Sequence, residues 1–120
     1  MDERLVRRMS PVVAITVREL VAVPDLRTWV RAGERGLDRE VSWAHVCEMP
    51  DPAEWLGAGD LLMTTGLGLP ADPDRRTFVE RLVAAGLSGM AVGDRMCAPE
   101  ISDQMLAAAD ECEFPLLFTA

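Results

Sequence analysis

Apolar and polar positions change their spacing several times along this chain, and each change predicts an element. In "TVREL" Thr16 and Glu19 stand at capping-box spacing, so a short helix is expected to start at Val17 and stop before Pro24. "WVRAG" then reads as a strand and "ERGLDRE" as a turn. "VSWAHVC" alternates Val41, Trp43, His45 and Cys47 against Ser42, Ala44 and Val46, which predicts a second strand joined to the first by a tight connection. In "MPDPAEWLGAGD" Asp51 stands as an N-cap, Pro52 at the first helical position and Glu54 three residues after the cap. One or two helical turns carrying Trp55 are expected there, ended by Gly57 and Gly59.

From Asp60 onward the pattern becomes regular. "LLMTT" is a buried strand, "DPDRRTFVERLVAAG" a helix with Phe78, Val79, Leu82 and Val83 on one face, and "GMAVG" a short buried strand. "PEISDQMLAAADECE" follows as a helix with Ile101, Met105, Leu106, Ala109 and Cys112 inward, and "FPLLFT" as a last apolar strand. Strand, helix, strand, helix, strand implies parallel pairing through right-handed crossovers. The fold class expected is therefore α/β: a mostly parallel sheet with flanking helices, the earlier strands extending one side of it.

Composition narrows the function. The 120 residues suit one domain with its own core, and no apolar run approaches the roughly 20 residues of a membrane span. The apolar stretch Val12–Val17 is too short for a signal peptide, and the three cysteines, Cys47, Cys97 and Cys112, are widely separated. A cytoplasmic setting with free thiols is expected. A net charge of −8 would be repelled by a nucleic-acid backbone, so these residues are not expected to bind DNA directly. All twelve basic residues are arginine, which excludes a Walker lysine, a Schiff-base lysine and a lysine general base.

Ligands of an open parallel sheet collect at the carboxyl ends of its strands, where "TTGLGLPADPD" lies. Thr64 and Thr65 offer hydroxyls there, and Gly66 lets backbone come close to a ligand. A phosphate loop is disfavoured: the following helix begins with Asp72 and Asp74, and the glycines do not have G-x-G-x-x-G spacing. A neutral or cationic small ligand fits better, and a plain glycine turn fits as well. Glu48, Asp51 and Asp60 gather around Trp55, either as solvated turn acids or as the lip of a pocket for a planar or cationic ligand. His45 and Cys47 share a strand face without a third orienting group, which argues against a nucleophile pair. His45, Cys47, Cys97 and Cys112 match a zinc ligand count but include no close C-x-x-C pair, and neither a metal nor a cofactor is expected.

"ITVREL", "GLDREVSWAHVCEMPDPAEWLGAGDLLMTTGLGL", "FVERLVAAGLSGMAVG" and "FPLLFT" together resemble the N-terminal domain of PucR-type bacterial transcriptional regulators. The resemblance runs from about residue 15 to residue 119 and is most specific in "HVCEMPDPAEWLGAGDLLMTTGLGL". It implies a purine-catabolism or related regulator with this module first and a helix-turn-helix further along a longer chain. It also implies an accessory fold similar in outline to the N-terminal domains of HPr kinase and Mur ligases, without a catalytic centre. Residues 1–14 then form an N-terminal extension, and residues 15–120 a regulatory domain. The expected role is non-enzymatic sensing of a small-molecule effector such as a purine catabolite. The ligand-binding candidates are His45, Glu48, Asp51, Trp55, Thr64, Thr65 and Gly66. A module that only forms homodimers or contacts another protein is the alternative.

Overall fold

The structure is a computed structural model that describes residues 15–94 and 100–120; the expectations for residues 1–14 and for Cys97 lie outside the described residues. Strand β1 (Ile15–Thr16) ends in the predicted capping box, which starts helix α1 (Val17–Val21). The Thr16 hydroxyl accepts from the Glu19 N–H, and the Thr16 N–H donates to Glu19 Oε1, both at 3.1 Å. Next come β2 (Thr28–Ala32), β3 (Glu40–Val41) and β4 (Trp43–Val46). The regular half follows as β5 (Asp60–Thr64), α2 (Arg75–Ala84), β6 (Gly89–Gly93), α3 (Asp103–Glu111) and β7 (Leu116–Thr119).

The main sheet has the order β2-β7-β6-β5-β4. Strands β4 to β7 are mutually parallel, and β2 is antiparallel to β7. The mostly parallel α/β sheet expected from the strand-helix alternation is therefore present. β1 and β3 form a separate antiparallel ribbon.

Two local expectations need correction. β2 and β4 do not lie together on one side but at opposite edges of the sheet. The segment between them docks on the turn after α3 instead of folding back as a hairpin. At Gly33, which has φ 75°, a Cβ would stand 1.9 Å from the Phe114 carbonyl oxygen, and at Gly36 one would stand equally close to that of Glu113. Arg39 donates to the carbonyls of Glu113 and Cys112. These contacts fix β2 beside β7. Secondly, Pro52–Glu54 forms a 3₁₀ turn in which Asp51 makes no side-chain cap, because its carboxylate accepts from Arg81 instead.

One face of the sheet packs under α2 and α3, where Leu62, Phe78, Leu82, Met90, Met105, Phe114 and Leu116 are buried together. The opposite face carries Leu61, Ala91 and Leu117 against Val17, Leu37 and Val41. Every residue of the central strand β6 is buried, as suits a parallel strand covered on both sides. Among the described residues no helix is long and apolar enough to cross a membrane.

Candidate functional site at the carboxyl ends of β4 and β5

The parallel register carries Glu48 to the Thr-Thr-Gly turn. His45 lies opposite Leu62 and Val46 opposite Met63, and one residue on, the Cys47 N–H donates to the Met63 carbonyl at 3.0 Å. Glu48 thus arrives beside Thr65 as both strands run out. Its Oε1 accepts from the Thr65 N–H at 2.6 Å, and its Oε2 accepts from the Thr65 hydroxyl at 2.7 Å. Gly66 turns the chain with φ 93° and donates its N–H to the Thr64 hydroxyl oxygen at 3.0 Å. Further round, Gly68 lies so close to the Glu48 backbone that a Cβ would stand 2.5 Å from the Glu48 carbonyl oxygen.

Partial burial alone would push the Glu48 carboxyl upward. Hydrogen bonds from the Thr65 N–H and hydroxyl, joined by Thr64 and the Leu67 N–H, outweigh that effect and hold it below the ordinary glutamate value. The turn is thus a cradle of donors converging on an anion, and the anion belongs to the chain itself. This accounts for its likeness to a phosphate loop without lysine, arginine or helix dipole to hold a phosphate.

Beside Thr64 and Thr65 the uncovered end of the sheet forms a hollow of about 140 Å³, lined otherwise by Val46, Met63, Ala91, Gly93 and Thr119. A second hollow of about 190 Å³ shares Met63, Ala91 and Thr119 with it and runs along the same face to Ala44, Leu61, Leu20 and Leu26. The walls are mostly aliphatic. Polar groups stand at the rim, where a small flat molecule could be gripped by its edge.

The structure brings Glu48, Thr64, Thr65 and Gly66 together and places the other candidates elsewhere. His45 Nε2 is 3.4 Å from Asp60 Oδ1, at the opposite end of β5 from the turn, and its ring is 6.4 Å from that of Trp43. Asp60 also accepts from the Gly57 N–H at 2.8 Å and so closes the glycine turn. Asp51 pairs with Arg81 along a groove beside α2. Trp55 is 66% exposed and lines neither hollow. Cys47 packs against the helix-side core, so it does not face a ligand with His45. Among the described residues no group of three or more histidine, cysteine or acidic side chains is disposed to hold a metal ion.

Sequence reasoning missed Val46, Met63, Ala91, Gly93 and Thr119, because it read β5 and β6 simply as buried strands and did not locate the hollow at their carboxyl ends. The small side chains at alternate positions Ala91 and Gly93 were the available signal. It also missed Arg75, which is buried at the start of α2 and donates to the carbonyls of Pro70 and Glu100, tying the loop after the turn to the start of the α3 segment.

Residues 19–120 match the Purine catabolism regulatory protein-like (PucR) family. The transcriptional activator PmfR of Paenarthrobacter nicotinovorans is 45% identical over 106 residues, which make up 88% of this chain and 23% of that protein. The purine catabolism regulatory protein of Bacillus subtilis (strain 168) is 25% identical over 87 residues, 72% of this chain and 16% of that protein. The chain spans less than a quarter of the length of these curated relatives. With the match covering most of its length, the chain belongs to the PucR family.

Proposed function

We propose that this chain is the effector-responsive regulatory module of a PucR-type transcriptional regulator. A small metabolite, such as a purine catabolite, binds in the hollow beside Thr64 and Thr65. The observation that carries this reading is the pair of connected aliphatic hollows on a sheet otherwise well covered, opening at the strand ends where α/β sheets take ligands. Met63 and Val46 supply apolar contact to a planar body. The Thr65 hydroxyl oxygen and the remaining lone pairs of Glu48 meet its polar edge.

Glu48 connects occupancy to shape. It holds the Thr-Thr-Gly turn against β4, so a ligand that draws on Thr65 or Glu48 favours one position of the turn over another. Only that difference in affinity between the two positions can shift a regulator. DNA contact belongs to another part of the regulator, since a module of charge −8 repels phosphate. The module has no catalytic role in this reading, His45 being turned to Asp60.

A thermal-melt screen of the chain against purine catabolites tests the proposal. A ligand at about 100 times its dissociation constant adds about 2.7 kcal/mol, a shift of several degrees for a domain this size. The shift is expected to shrink in Thr65→Val, which keeps the shape and removes one hydroxyl. A flat screen removes the effector reading, and an unchanged shift in the variant removes Thr65 from the site.

A further inference from the structure

The two edges of the main sheet are guarded differently. β2 is irregular, with a register shift between Val30 and Ala32 in its pairing with β7, and Arg31 lies over the Phe118 ring at 5.2 Å. Charge and irregularity of this kind discourage strand pairing. β4 has neither. Its sequence, Trp43-Ala44-His45-Val46, contains no carboxylate, arginine, proline or glycine, and all four residues are exposed, with Trp43 at 66% and Val46 at 74%. Among the described residues, regular pairing with β5 leaves the other side of its backbone without a neighbouring strand.

The register shows which backbone groups face outward. The Cys47 N–H points to β5, and the alternation along a strand turns the N–H and C=O of Ala44 and Val46 away from it. These two residues flank His45 symmetrically. A two-fold axis through His45 would therefore set Ala44 against Val46 of a second copy, and Val46 against its Ala44, satisfying all outward groups in one short antiparallel ladder. The larger side chain falls opposite the smaller one in both pairs. β4 itself carries no carboxylate, and the acid beside the axis, Asp60, stands 3.4 Å from His45 Nε2.

We propose that β4 is a self-association edge: two copies of this chain pair their β4 strands antiparallel about His45, making one continuous ten-stranded sheet. Ala44 and Val46 also line the open-face hollows, so the contact sets the two hollows side by side. The ladder is short, and an interface of this kind belongs to the weak, reversible class. The proposal does not depend on the effector reading, and its test uses no ligand.

Sedimentation of the chain over a wide concentration range is expected to show a monomer–dimer equilibrium. Val46→Lys, at an exposed position, is expected to weaken it at least tenfold with an unchanged melting temperature. Cross-linking reads the register. With the native cysteines replaced by serine, His45→Cys lies opposite its own copy in a non-hydrogen-bonded pair, with Cα atoms about 4.5 Å apart and within disulfide reach. It is expected to form a covalent dimer under mild oxidation. Val46→Cys stands two residues out of step with its own copy and is not. A chain that stays monomeric at every concentration overturns the proposal, whether another part of the regulator takes the edge or nothing does. Dimers that survive Val46→Lys, or that cross-link as well through Val46→Cys, overturn it too.

Discussion

The two faces of the main sheet are equally apolar in sequence but unequally covered. Leu62, Met90 and Leu116 face the helices on one side, and Leu61, Ala91 and Leu117 face the other. The difference lies in what each face is given to pack against. Strands of five residues are about 16 Å long. α2 and α3, with 10 and 9 residues, run about 14–15 Å each on one face, whereas the other face is given α1, with 5 residues and about 7–8 Å, and the short β1–β3 ribbon. The uncovered part lies at the carboxyl ends, beside the Thr-Thr-Gly turn. One face is closed and holds the larger core, while the other has a smaller core of its own. That second face is left open where ligands of such sheets bind.

The largest effect that would sharpen this contrast is expected at Leu82. Its side chain is fully buried between α2 and the sheet. Leu82→Ala removes several methylene contacts and leaves a cavity that the rigid helix pair cannot close, at a cost of about 2–5 kcal/mol. Denaturant titration would show this as a lower midpoint at an unchanged slope. A cost below about 1 kcal/mol would mean that the helix-covered face is looser than its packing indicates.

Next in size is Glu48, where the open face meets the turn. Glu48→Ala leaves the Thr65 N–H and hydroxyl without their charged acceptor and is expected to cost about 2 kcal/mol, a typical figure for hydrogen bonds to a charged group. The pH dependence follows from the lowered folded value of this carboxyl. Its contribution is fully present above the unfolded glutamate value of about 4.3 and is lost as pH falls through the lower folded value. Melting temperatures of the wild type and Glu48→Gln between pH 7 and pH 3 are therefore expected to converge on the acid side. Parallel curves would show that the cradle does not depend on the charge of Glu48.

How far this was legible in the sequence differs between the two halves of the chain. From Asp60 to Thr119, strands and helices alternate, each with an apolar pattern long enough to assign, and the parallel pairing follows from connectivity. Between Trp29 and Cys47 the same alternation misled. The position of β2 is decided by the close approach of Gly33 and Gly36 to the carbonyls of Phe114 and Glu113, roughly eighty residues away in sequence, and no local pattern encodes such a contact. The site divides in the same way. Thr64, Thr65 and Gly66 were recognisable as chemistry at a strand end, and Glu48 as one of the acids near Trp55. That Glu48 would fill the cradle itself depends on the register of β4 against β5, and that Asp51 would turn to Arg81 depends on how α2 docks. Neither lies within reach of spacing.

The smallest effect would bear most directly on the contrast. Met63 is only partly buried and is shared by both hollows. Truncating a buried methionine costs several kcal/mol because the space it leaves is enclosed, whereas here the space already opens to solvent, so removing the side chain makes no sealed cavity. Only the modest apolar area that Met63 keeps from water is lost, and Met63→Ala is expected to cost less than about 1 kcal/mol. The same change deletes the central apolar contact of the proposed effector site. Its effect on ligand-induced stabilisation should therefore exceed its effect on the ligand-free protein, the reverse of Leu82→Ala. If Met63→Ala instead destabilised the ligand-free protein as much as Leu82→Ala, the hollow would be closed in solution, and the two faces would no longer differ.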